Sequence, residues 1–283
     1  MDVDQARTFL AVAETGSFVA AAERVFVTQS TVSMRIKALE DRLGRRLFER
    51  GKQGASLTPA GLQFQPHAAA IMRVWEHARL DVGLPDGFDE ALSVGGQISL
   101  WEGFLLTWLP WMQSAAPDVA IKTTLGYSSD MLQAVSDGRL DLAVIYRPEV
   151  RPGLEIEQLF EERLIRVSSE PAPKPELNAR YVFINWGPEF QADHALNFPD
   201  FKIPPLYLDI GGLAITYLLE NAASGYLPLR IAAPYIEDGR LQRVSGAPAF
   251  SYPVYAVYST EENSDSLETA LSGLREFAAL VSD

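Results

Sequence analysis

The stretch Thr28-Gln29-Ser30-Thr31-Val32-Ser33-Met34-Arg35-Ile36-Lys37-Ala38-Leu39-Glu40-Asp41-Arg42-Leu43-Gly44 decides how the chain is read. Thr28 is an N-cap residue by type, and Gly44 tolerates the left-handed conformation that ends a helix. Between them Val32, Ile36, Leu39 and Leu43 recur at i, i+4, i+7 and i+11, the apolar stripe of an amphipathic helix. With that stripe buried, Ser30, Met34, Lys37 and Asp41 point away from it, Ser33 lies on one flank and Arg35 on the other. Working back, residues 4–15 carry Phe9, Leu10, Val12 and Ala13 on a first helix ending near Gly16. Ser17 then caps a short helix over 18–25, whose Ala21 and Ala22 let another helix cross closely. Phe26-Val27 is the turn, so the arrangement is a helix-turn-helix. In that motif the start of the second helix enters the major groove. Gln29, Ser30, Ser33 and Met34 are therefore the candidate base readers, with Thr28 at their head: Gln can pair with adenine and Met can touch a thymine methyl.

Working forward, Leu47-Phe48-Glu49-Arg50 and Ala55-Ser56-Leu57 flank a glycine-bearing tip at 51–54, a hairpin that reads as a wing. Charge supports a nucleic-acid role for this part alone. The 283 residues carry a net charge of −13, which taken whole argues against a phosphate partner. Yet residues 35–52 hold seven basic against three acidic side chains, while residues 89–283 hold 13 basic against 27 acidic. Arg35, Lys37, Arg45, Arg46, Arg50 and Lys52 are the candidate phosphate or minor-groove contacts. A solvated helix face with a charged loop is the plainer explanation of the same clustering. With 47% apolar residues the chain is globular throughout, and with no cysteine it has neither disulfides nor thiolate chemistry. The N-terminal residues lack the basic and apolar regions of a signal peptide and no apolar run is long enough to span a membrane, so the expectation is a cytoplasmic protein.

Phe9, Gly16-Ser17-Phe18, Ala21-Ala22, Thr28-Gln29-Ser30, Ser33, Ile36, Leu39-Glu40, Leu43-Gly44, Leu47-Phe48, Arg50 and Leu57-Thr58-Pro59-Ala60-Gly61 together resemble the LysR-type transcriptional regulators. The chain departs from the family's frequent Pro, Arg and Gln at the positions of Ser30, Met34 and Arg35. Thr58 can cap a helix that starts at Pro59, and Ala68, Met72, Trp75 and Val82 then recur as one apolar stripe. Pro66, interior to that helix, should kink it. The resemblance implies that this linker helix dimerises through Met72, Trp75 and Val82. Packing onto the chain's own second domain is the alternative. His67 and His77 have no ligand spacing, so no metal is expected.

The fold expected is α/β with an N-terminal all-α winged helix-turn-helix and a C-terminal two-subdomain, periplasmic-binding-protein-like effector domain. The boundaries are 1–58 for the DNA-binding domain, 59–88 for the linker helix and hinge, and 89–283 for the effector domain. Within the last, 89–162 with 247–283 form one subdomain and 163–246 the other. Strands are read at 92–94, 97–100, 119–125 and 140–146, with a break at Gly95-Gly96. Helices are read at 102–116 and 129–137, giving a parallel β-α-β-α-β unit. A second unit follows over 181–228, then a strand at 254–258 and a terminal helix. Ligands of such open sheets bind beyond the carboxyl ends of strands. That places Ser99, Leu100, Trp101, Glu102, Tyr127, Ser128, Ser129, Tyr146, Arg147, Asn185, Trp186 and Gly212 around a cleft, which the resemblance implies holds a small-molecule effector. Arg147 could pair a ligand carboxylate or form an ordinary surface bridge. Trp108 and Trp111 read as core.

The combination of Ser33-Met34-Arg35-Ile36, Trp75, Ser99-Leu100-Trp101-Glu102 and residues 186–191 resembles one branch of the family, which includes a repressor of a flagellar operon. The resemblance further implies double-stranded promoter DNA as partner, a homodimer and homotetramer, and admits RNA polymerase. No cofactor and no catalytic residue is expected. An enzyme lacks support because His194 has no nucleophile beside it, and neither GxxxxGK[ST] nor GxGxxG occurs. A nucleoid-type architectural protein is the other rival.

Overall fold

The computed structural model describes residues 2–51, 54–84, 86–201, 204, 206–261 and 264–282. Helices α1 (Val3–Thr15), α2 (Phe18–Arg24) and α3 (Gln29–Leu43) are followed by the two-stranded antiparallel wing β1 (Phe48–Gly51) and β2 (Gly54–Leu57) and by the long helix α4 (Pro59–Asp81). Each start and stop has a local cause. Asp2 and Gln5 form a reciprocal capping box, Ser17 accepts from the Ala20 amide, Thr28 from the Thr31 amide and Thr58 from the Gly61 amide. Gly16 (φ 61°) and Gly44 (φ 65°) close α1 and α3 in the left-handed region. Phe9, Phe18, Val32, Ile36, Leu39, Leu47 and Phe48 form the core, with Phe9 meeting Phe48 at 5.2 Å and Phe64 at 4.9 Å between ring centroids. The Glu40 carboxylate accepts from the amides of Leu47 (2.7 Å) and Phe48 (3.3 Å), so α3 itself fixes where the wing begins.

Three expectations for this half are corrected. Leu43 is 45% exposed, because the core ends at Leu39 and the last turn of α3 projects beyond it. Ala68 and Met72 are buried, not on an open stripe: they complete the winged module's own core. Val82 lies past the end of α4 and is 90% exposed, which leaves Trp75, with Val74 and Leu62, as the exposed apolar part of the helix. The helix passes through Pro66 without a break in its assignment. It also touches the second domain, where Arg73 bridges Glu261. The side chains of Arg50 and His77, and residues Lys52 and Pro85, lie outside what is described.

The rest of the chain runs β3 (Glu90–Gly96), α5 (Ile98–Leu100), an irregular turn (Trp101–Leu105), α6 (Leu106–Ala115), β4 (Val119–Leu125), α7 (Ser128–Ser136), β5 (Leu142–Tyr146), β6 (Leu154–Ser168), β7 (Val182–Ile184), α8 (Pro188–Asn197), β8 (Leu206–Leu208), a 3-10 turn (Gly211–Leu213), α9 (Ala214–Glu220), β9 (Ser224–Pro228), α10 (Leu229–Glu237), β10 (Gln242–Arg243), β11 (Phe250–Ser259) and α11 (Asp265–Ser282). The main sheet has the order β10-β6-β11-β5-β3-β4, with β9 also on β6. Strands β3, β4 and β5 are parallel, whereas β6 and β11 pair antiparallel along their lengths and carry the sheet from one lobe to the other. In the first lobe α6 and α11 cover one face and α7 the other. Leu142, Val144 and Tyr146 of β5 therefore join one core cluster and Ala143 and Ile145 another, the reason this strand is an unbroken apolar run. The second lobe holds β7, β8, β9 and helices α8 to α10.

Gly95 and Gly96 do not break the strand: they lie within β3, where a Cβ on Gly95 would come within 2.4 Å of Leu140 and one on Gly96 within 2.6 Å of Leu105. The glycines permit close packing and do not make a turn. The interruption falls later, at Glu102 (ψ 120°) and Gly103 (φ 71°). Trp108 is fully buried, and Trp111 packs on Gly273 and against Phe277 of α11 at 6.3 Å.

Candidate nucleic-acid interface and ligand cleft

On the first turns of α3 the side chains of Thr28, Gln29, Ser30 and Met34 are exposed, Met34 to 65%, and Ser33 is half-buried. Thr28 Oγ1 lies 2.8 Å from Ser30 Oγ and 2.9 Å from Thr31 Oγ1, so the hydroxyls of the cap hold one another in place. Lys37, Arg45 and Arg46 are exposed. They form no ion pair among the described residues, which leaves their charge free for phosphate. Arg35 differs from expectation. Its guanidinium donates to Asp4 Oδ2 at 2.6 Å and to Thr8 Oγ1 at 3.2 Å, fastening α3 to α1. A side chain so engaged is a strut of the module and not a free phosphate contact.

The second site is a cleft of about 870 Å³ between the lobes, of a size that holds a small molecule. Ser99, Tyr127, Ser128, Ser129, Tyr146, Arg147, Asn185 and Trp186 line it, as expected from the strand ends. Four expected residues do not. Leu100 is core. The Trp101 indole turns back to donate to the Gly96 carbonyl at 3.2 Å, beneath β3. Glu102 and Gly212 pack on each other outside the cleft, a Cβ on Gly212 falling 3.2 Å from Glu102 Oε2. Gln97 and Leu125, at the carboxyl ends of β3 and β4, also line the cleft, as do Leu213 and Tyr252, to which the strand-end pattern does not point. Gln97 Oε1 accepts from Ser128 Oγ at 2.8 Å and from the Tyr146 amide at 3.1 Å, tying three cleft segments together. Its one signal in the sequence is a glutamine directly after a strand.

Arg147 adopts φ 39°, the left-handed region that a non-glycine residue seldom occupies without reason. Its guanidinium donates to the Ser251 carbonyl at 2.7 Å, lies over the Tyr252 ring and faces Asp193 at 4.0 Å, so it spans from β5 to the second lobe. The Trp186 indole donates to the Tyr226 carbonyl at 2.9 Å, and Asn185 is shared among Gly187, Gln191 and Asp209 at 3.0 Å each. Burial raises the pKa of Tyr146 well above the ordinary tyrosine value and raises that of Glu162 beside it.

His194 lies inside the second lobe, 3% exposed, with Nε2 at 2.8 Å from the Tyr181 hydroxyl and Phe183, Phe190, Phe198 and Phe201 around it. Burial, and then the charge of Arg166, push its pKa down to about 4. The unfolded chain takes up this proton near pH 6.5 and the folded one only near 4, so the stabilisation is complete above pH 6.5 and is lost as pH falls towards 4. His194→Phe is expected to lose about 1 kcal/mol at pH 7 through the unpartnered Tyr181 hydroxyl. It should also escape about 2–3 kcal/mol of the decline between pH 6.5 and 4. Parallel Tm–pH curves for the two proteins would refute this.

A winged helix-turn-helix with exposed polar side chains and cations on and after α3, joined to a domain with a cleft between two lobes, is the architecture of a ligand-responsive DNA-binding regulator. The chain belongs to the LysR family of transcriptional regulators. Residues 3–62 match the family described as "Bacterial regulatory helix-turn-helix protein, lysR family", and residues 85–279 match "LysR substrate binding domain". The chain is 32% identical over 269 residues to the HTH-type transcriptional regulator HdfR of Salmonella dublin, and 31% identical to that of Salmonella typhimurium, covering 94% of each partner in both cases. Among solved structures it shares its fold with ArgP from Mycobacterium tuberculosis (TM-score 0.62, 23% identity, 99% of this chain and 98% of that one). It also shares it with full-length LysG from Corynebacterium glutamicum with bound effector Arg (TM-score 0.60, 20% identity, 99% of each). CbnR complexed with its target DNA has the same fold (TM-score 0.51, 22% identity, 98% of this chain and 100% of that one). The protein is thus a regulator and not an enzyme. Among the described residues no helix is long and apolar enough to cross a membrane.

Proposed function

We propose that the protein reads an operator through Gln29, Ser30, Ser33 and Met34, holds the phosphates with Lys37, Arg45, Arg46, Arg50 and Lys52, and answers to a small molecule in the cleft. The observation that carries the reading is the exposed Gln29, Ser30 and Met34 on α3 beside Lys37, Arg45 and Arg46, which are exposed and form no ion pair among the described residues, in a stretch (residues 35–52) with seven basic against three acidic side chains. Pairing through α4 by Trp75 and Val74 builds a homodimer, and effector domains assemble dimers into a tetramer. Occupancy of the cleft then changes the spacing of the reading helices, the bend of the promoter and the access of RNA polymerase. The likeness to the transcriptional regulator HdfR over nearly the whole chain supports a regulator of that kind.

DNase footprinting with the full chain on the DNA upstream of its own coding sequence tests this reading. Discrete half-sites a whole number of helical turns apart are expected, bound about 10³-fold or more tighter than unrelated DNA. Diffuse coverage with little preference would favour the architectural alternative. A thermal-shift screen of carboxylates and amino acids, arginine included because LysG carries it, tests the cleft.

A further inference from the structure

Beside the cleft, one arginine joins three segments of chain. Arg230, in the first turn of α10 on the second lobe, donates through Nε to Glu162 Oε1 at 2.9 Å, through Nη2 to the Ser99 carbonyl at 2.8 Å and through Nη1 to the Glu102 carbonyl. Its side chain is 11% exposed and that of Glu162 is 2% exposed. Glu162 lies on β6, the strand that crosses between lobes, and its other oxygen accepts from the Tyr146 hydroxyl at 2.5 Å. The same hydroxyl is 3.2 Å from Ser99 Oγ. Ser99 and Tyr146 line the cleft. So a buried carboxylate has the cleft wall on one oxygen and the opposite lobe on the other.

The backbone is shaped around these bonds. The break at Glu102 and Gly103 interrupts the helical path between Trp101 and Leu106 and turns the Glu102 carbonyl to Arg230. A side chain at Gly103 is doubly disfavoured, because φ is 71° and its Cβ would sit 3.1 Å from the guanidinium. Such interruptions in a helix recur at functional sites. A buried ion pair contributes little net stability over an apolar replacement, so its value lies in fixing one arrangement.

We propose that Arg230 is an inter-lobe latch that sets the angle of the cleft, and that Tyr146 and Ser99 connect the latch to the cleft's occupant. A polar ligand group that draws the Tyr146 hydroxyl away from Glu162 leaves one buried carboxylate oxygen without a donor, and the cost of that oxygen favours a reoriented arrangement of the lobes in which it is solvated or paired again. Only this last step rests on the ligand site proposed above. The latch itself does not.

The absence of cysteine makes the test clean. Lys122→Cys on β4 and Leu196→Cys on α8, both exposed, place one nitroxide on each lobe of the full chain, and pulsed EPR reads their separation without DNA or ligand. With the labelled chain diluted into an excess of unlabelled chain, so that distances are read within one protomer, the parent should give one narrow distribution. Arg230→Met should broaden it or move its mean by about 2 Å or more, Tyr146→Phe should act in the same direction, and the double variant should go no further than Arg230→Met alone. If Arg230→Met does not fold, Arg230→Lys with Tyr146→Phe carries the test. Unchanged distributions, or additive effects of the two substitutions, would overturn the latch, and neither outcome bears on whether the protein binds an operator.

Discussion

Phe9→Ala is expected to unfold the winged module while the effector domain stays folded. Phe9 is fully buried and its ring contacts those of Phe48 in the wing and Phe64 in α4, so it is the point where the first helix, the wing and the linker helix meet. Truncating a buried phenylalanine costs about 3–5 kcal/mol, as transfer and cavity terms add. A module of this length has about 5 kcal/mol to lose, because its surface is large for its core. Calorimetry should show the transition of the N-terminal module displaced to low temperature or absent, with that of residues 89–283 within a degree or two of the parent. DNA binding should vanish for every sequence alike. A single transition shifted as a whole would mean instead that the two parts fold as one unit through α4.

The same dependence on local contacts explains how much of the molecule its sequence discloses. The winged module is readable because its determinants are neighbours in the chain. Thr28 and Gly44 bound α3, Val32, Ile36 and Leu39 give its period, and Gly16 and Ser17 end one helix and begin the next. Leu43 misleads because periodicity reports which face a residue occupies and not whether anything covers that face. Met72 misleads in the opposite sense: the stripe on α4 is real, but part of it completes a core built from residues far earlier in the chain. In the effector domain, β6 is hidden from pattern reading. Glu155, Glu157, Glu161 and Arg163 interrupt its apolar residues, since its first part lies at the surface and only its end is buried. Arg166, on that same strand, is 2% exposed and is held by the carbonyls of Pro175 and Glu176, by Ser224 and by the face of Tyr181. No local spacing announces a buried arginine that forms no ion pair among the described residues.

The cleft shows the same division. Residues at strand ends, such as Ser128, Arg147 and Asn185, follow from topology, which puts ligands beyond the carboxyl edge of a parallel sheet. Tyr252, on β11, and Arg230, on α10 and 131 positions from the Ser99 carbonyl it holds, reach the cleft region from elements remote in the sequence. Charge divides similarly. The balance of −14 beyond residue 88 is distributed over a body whose cations are largely engaged, as in the pair of Arg275 with Glu157 at 2.7 Å. That body repels phosphate and leaves DNA to the module that α3 dominates.

Replacing Gln29 and Ser33 together by alanine should abolish discrimination while leaving attraction to DNA intact. Both occupy the first turns of α3, the part that faces base edges in this motif. A well-placed hydrogen bond to a base edge is worth about 1–3 kcal/mol of discrimination. The double variant should therefore lose roughly 30-fold or more in operator affinity at fixed salt, with affinity for unrelated DNA unchanged. Arg45→Ala with Arg46→Ala should behave in the opposite way. Both side chains are exposed and unpaired, so their removal weakens binding to all sequences alike and lowers the slope of log affinity against log salt by about 0.9 for each phosphate no longer neutralised. Arg35 stands outside both sets, because its bonds to Asp4 and Thr8 make its removal a matter of module stability. Titrations of operator and non-operator duplexes at three salt concentrations separate these outcomes. If the Gln29 and Ser33 variant bound both duplexes equally more weakly, α3 would be gripping the backbone, and the reading surface would have to be sought in the wing.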